Sequence, residues 1–143
     1  MLLLLGGEKK ARLLMPQDRE SGAAAVEYGL ETARRIAKVL GATKIGNSRS
    51  NEYGLNGKRI VIKCAGATTN SVGVPYHMLE RLDAVIGSFE TEAGTYELYE
   101  MTPKMFKEDM RPTRSKGASS GRVGMVRKST FVNKCKRIDT VKL

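Results

Sequence analysis

The pair Asn56-Gly57 constrains this chain more than any other two residues. A two-residue type I′ turn needs φ > 0 at both central positions, and Asn-Gly meets that demand at little steric cost. Ile60, Ile62 and Cys64 then recur at alternate positions, as a half-buried strand requires, so the segment reads as a tight hairpin. The turn sets the register: Leu55 faces Lys58, Tyr53 faces Ile60 and Glu52 faces Val61. Side chains alternate faces with period two, so Glu52, Arg59, Val61 and Lys63 share one face while Tyr53, Ile60 and Ile62 share the other. Lys63 falls diagonal to Glu52, roughly 5–8 Å away between Cβ atoms. Such a pair is either a solvated cross-strand ion pair, contributing about 0–1 kcal/mol, or the start of a working site.

Around the hairpin the pattern runs from helix to strands. Ser21 is a candidate N-cap for a helix over Ala23 to Leu40, with Val26, Leu30, Ala33, Ala37 and Leu40 as its apolar stripe and Gly41 as its stop. After Lys63, residues 66–73 form a small, polar, glycine-rich loop in which Thr68, Thr69 and Asn70 are placed to meet an anion; the alternative is a plain connection. Pro75 to Leu82 predicts a short helix and Asp83 to Phe89 a buried strand. Glu92-Ala93-Gly94 turns into a second strand over Thr95 to Met101, and Thr102 caps a helix from Pro103 to Met110.

Glu52, the short hairpin and Lys63 at the end of the second strand resemble the PD-(D/E)XK nuclease superfamily, whose signature is an acid, a hairpin and an (Asp/Glu)-x-Lys triplet. Ile62 and Lys63 fill the last two triplet positions, and Val61 stands where the second acid would be. The resemblance covers about residues 21–101. It implies a restriction endonuclease-like αβββαβ core, a mixed central sheet flanked by helices, in a single α/β domain over residues 1–143. It also implies a metal-dependent endonuclease hydrolysing DNA phosphodiester bonds, with Mg²⁺ or Mn²⁺ as cofactor. Glu52 would be a metal ligand, with the Ile62 carbonyl and a second carboxylate from Glu80 or Glu27. Lys63 would orient the attacking water. The alternative is a non-catalytic nucleic-acid-binding domain of the same fold.

Charge points to the partner. Residues 1–110 carry 15 Lys/Arg against 14 Asp/Glu, whereas residues 111–143 carry 10 against the single acid Asp139. A basic segment of this kind is the footprint of a phosphate-binding surface, here Arg111, Arg114, Lys116, Arg122, Arg127 and Lys128, or else a solubilising tail. Apolar pieces at Val123 to Val126 and Phe131-Val132 argue that it folds. Together with the resemblance, which implies DNA as the partner, this charge fits a backbone-gripping surface, and a chain of 143 residues reaches both strands of a duplex most simply as a homodimer. Two cysteines without metal-ligand or disulfide spacing fit a reducing, cytoplasmic setting. A single histidine excludes a multi-histidine metal site, and the apolar run Met1 to Leu5 is too short to span a membrane.

Overall fold

The computed structural model describes residues 19–47, 50–113 and 122–143. Among these residues it has an α/β architecture of four helices, a mixed six-stranded sheet and a small three-stranded sheet. In chain order the elements are α1 (Arg19–Leu40), β1 (Thr43–Lys44), β2 (Glu52–Leu55), β3 (Lys58–Ala65), β4 (Ser71–Pro75), α2 (Tyr76–Leu79), β5 (Ala84–Glu92), β6 (Thr95–Met101), α3 (Pro103–Asp109), β7 (Arg111–Pro112), β8 (Val123–Arg127), α4 (Lys128–Lys134) and β9 (Arg137–Lys142).

The hairpin forms in the expected register. Glu52 pairs with Val61, Tyr53 with Ile60, Gly54 with Arg59 and Leu55 with Lys58. Asn56 and Gly57 sit at φ 53° and 78°, the left-handed conformations a type I′ turn demands. The large sheet has the order β1-β2-β3-β5-β6-β9, in which β3 and β5 run parallel and every other pair antiparallel. A parallel pair needs a crossover. Here β4 and α2 supply it.

The alternation of β3 divides the core in two. Ile60 and Ile62 pack with Ala84, Ile86, Leu98 and Val141 against Ala33, Ile36 and Ala37 of α1. Val61 and Ala65, on the other face, pack with Val85 and Phe89 against Val72 and Val74 of β4, Val126 of β8, Phe106 and Phe131. Phe131 stacks edge-on to Phe89 at 5.3 Å between ring centroids. That stack needs Gly87 beneath it: a Cβ there would lie 2.8 Å from the Phe131 ring.

Several elements differ from the sequence expectation. α1 begins at Arg19, ahead of Ala23. Of its expected stripe, Ala33 and Ala37 are buried but Val26 is 49% exposed, because the N-terminal half of the helix passes the sheet and forms the wall of a cleft. Ser71 to Gly73, expected in a loop, belong to β4, which is paired antiparallel with β8. Thr102 caps α3 as expected, its hydroxyl accepting from the Met105 amide at 3.1 Å. Arg114 and Lys116 lie outside the described residues. No helix among the described residues is long and apolar enough to cross a membrane.

Candidate functional site

β2 begins at Glu52, so β3 runs on past it, and Lys63, Cys64 and Ala65 have no strand partner on that side among the described residues. Among the described residues the last bond there runs from the Ile62 amide to the Asn51 carbonyl, at 3.1 Å. A cleft of about 620 Å³ opens at this step. Its walls come from Val26 and Leu30 of α1, Ser50 and Asn51 before β2, Ser71 to Gly73 of β4 and Met78 of α2, with Glu52, Lys63 and Arg81 among the lining residues.

Glu52 and Lys63 therefore meet at one cleft, on one face, as the hairpin geometry required. Their environments are unlike. The Glu52 carboxylate is buried and fully engaged: Arg59 Nε donates to Oε2 at 2.9 Å, while Arg81 donates from Nε to Oε2 at 3.1 Å and from Nη2 to Oε1 at 2.5 Å. The Arg81 guanidinium, in a two-point contact, holds the Glu52 carboxyl below the usual range; desolvation opposes the shift and Arg59 assists it. Lys63, by contrast, makes no hydrogen bond or ion pair among the described residues. Burial lowers its pKa, since the strand that carries it is packed between two apolar layers. Cys64 also borders the cleft, but burial pushes its thiol up to about 12, so it stays a neutral thiol.

The other expected site residues lie elsewhere. Glu80 is at the C-terminal end of α2 with its side chain 74% exposed, and it pairs with Lys107 at 3.1 Å. Its neighbour Arg81 is the residue that reaches Glu52. Glu27 is exposed on α1, and the α1 residues that line the cleft are Ala25, Val26, Gly29 and Leu30. Ile62 turns its side chain into the core under α1. Among the described residues there is no group of three or more His, Cys, Asp or Glu side chains able to hold a metal ion. With both Glu52 oxygens accepting from guanidinium groups, the cleft residues in this arrangement do not fit Mg²⁺, a hard cation that takes carboxylate oxygens.

The basic segment has a definite place. Ser71 pairs with Arg127, and the Lys128 amide donates to the Asn70 carbonyl at 2.7 Å, which docks the glycine-rich loop against the start of α4. Asn70, Arg127, Lys128, Ser129 and Asn133 line a second concavity of about 660 Å³. Neither Arg127 nor Lys128 has a carboxylate partner among the described residues. Asn70 in this concavity and Ser71 in the cleft are consecutive, so the two recesses adjoin across the start of β4. Thr68 and Thr69 are exposed on the same loop, and Arg111 and Arg122 are exposed within the basic segment. Arg81 is the residue that sequence reasoning missed; the signal was its place, two positions after the last helical residue and beside a strand carrying a lone acid. Comparison with family models and with curated proteins finds no match to this chain.

Proposed function

We propose that this chain is a nucleic-acid-binding domain with a restriction endonuclease-like core, which grips the phosphate backbone through Asn70, Arg127, Lys128 and the neighbouring cations of its last quarter. The observation that carries it is the pair of adjoining recesses bordered by cations without carboxylate partners among the described residues: Lys63 in one, Arg127 and Lys128 in the other. Unpaired cations on a concave surface attract a polyanion and release its counterions on contact. The element order supports the core assignment. α1, the meander β1-β2-β3, the crossover helix α2 and β5 parallel to β3 follow the αβββαβ pattern, with β4 inserted before the helix.

A Mg²⁺- or Mn²⁺-dependent DNA endonuclease, acting as a homodimer, is the second reading. What favours it is Lys63, a desolvated amine without a partner among the described residues, on the same face as Glu52 and at the motif position of the catalytic lysine. This reading requires Arg81 to leave Glu52. The deciding experiment incubates the full chain with varied duplex DNA, with and without Mn²⁺, and measures binding and cleavage side by side. Salt-sensitive binding without cleavage supports the binding domain. Metal-dependent cleavage that Lys63→Ala abolishes supports the nuclease. Absence of binding at low salt refutes both.

A further inference from the structure

We propose that the cleft beside Lys63 is a binding pocket for a single unstacked nucleotide, with the phosphate on Lys63 and the base against the apolar wall of Val26, Leu30, Val72 and Met78. It deepens the nucleic-acid-binding function proposed above and rests on it.

Three observations converge. The first is electrostatic: Glu52 and Arg81 neutralise one another, Arg59 adds a second cation to the same carboxylate, and among the described residues Lys63 is left without a counter-charge. An anion that meets the Lys63 ammonium in this low-dielectric setting gains more than it would at the surface, and it restores the charged state that burial disfavours.

The second is the shape and lining. A recess of about 620 Å³ falls in the range of small-ligand sites, and its walls combine apolar side chains with Ser50, Asn51 and Ser71, which offer hydroxyl and amide groups to a base edge or sugar. An extended duplex does not enter such a recess. One residue turned out of a stack, or at a strand end, does.

The third is location. Ser71 borders the cleft while Asn70 borders the basic concavity with Arg127 and Lys128, so the two recesses lie one residue apart along the chain at the start of β4. Cations that hold a backbone beside an apolar recess that takes an unstacked base are the two parts such a site needs.

The test uses the full chain and deoxyadenosine 5′-monophosphate, titrated by calorimetry against deoxyadenosine as the uncharged control. The nucleotide should bind at least tenfold more tightly than the nucleoside, and Lys63→Gln should remove that advantage. Because glutamine relieves a desolvated charge, the variant is expected to fold, and a thermal melt checks this. A measurement on the unaltered chain stands beside it: the nucleotide should protect Lys63 from acetylation by a limiting amine-reactive ester at neutral pH, read by peptide mass mapping. Competition separates the sources of the ligand. Displacement of a 5′-phosphorylated single strand assigns the pocket to a residue of a strand, whereas nucleotide binding without displacement assigns it to the free nucleotide. Equal affinity for nucleotide and nucleoside, or no protection of Lys63, overturns the proposal. Loss of this result with duplex binding intact defeats the pocket alone, and the converse defeats the backbone-binding function alone.

Discussion

Replacing Glu52 with glutamine tests whether the two arginines are held by charge. The carboxylate, 5% exposed, accepts three charge-assisted hydrogen bonds from Arg59 and Arg81. Bonds to charged groups contribute about 1.5–3 kcal/mol each in favourable cases. Two corrections lower the sum. The Arg81 and Arg59 side chains are 40% and 41% exposed, so both rehydrate when released, and the amide no longer carries the desolvation cost of a buried anion. A net loss of about 2 kcal/mol remains, or about 6 °C in melting temperature for a chain of this size. The pH dependence gives the sharper check. Arg81, then Arg59, depress the Glu52 pKa in the folded chain, so its contribution is complete above the unfolded glutamate pKa of about 4.3 and is lost as pH falls through the lower folded value. Thermal melts of both proteins from pH 7 down to pH 2 should show the gap close below about pH 4. Equal melting temperatures at pH 7, or a gap unchanged at pH 2, would refute the argument.

Lys63→Met should raise stability at neutral pH, because a pKa depressed by burial means that the ammonium costs folding energy; wild-type stability should rise toward the unfolded lysine pKa of about 10.4, and the variant should lack that rise in alkaline melts. Gly87→Ala should destabilise by about 1–3 kcal/mol in urea titrations, since the new methyl meets the Phe131 ring that Phe89 and Phe106 confine. Arg81→Ala and Glu52→Gln should be non-additive in the same titrations; simple addition would separate the two side chains in solution.

The hairpin was legible to the residue, because turn chemistry and alternation are local and agree with each other. The parallel pairing of β3 with β5 was not, and neither was β4. Ser71-Val72-Gly73 reads as loop until Val123 and Met125, some fifty residues later, are seen to occupy the space over Gly73. Glu52 and Lys63 could be placed on one face from the register alone. What each one touches depends on long-range packing: Arg81 arrives after a crossover, and Glu80, one residue earlier, turns to Lys107 instead. The meeting of Asn70 with Arg127 and Lys128 likewise joins a loop and a basic stretch that no local signal connects.

The most direct test of the account is the salt dependence of DNA binding by the wild-type chain and by an Arg127→Gln/Lys128→Gln variant. If these cations neutralise phosphates, wild-type affinity falls steeply with salt, and the double variant should bind more weakly across sequences with a log-log slope shallower by about 2. The same slope and affinity in both proteins would contradict the assignment of that surface to the nucleic-acid backbone.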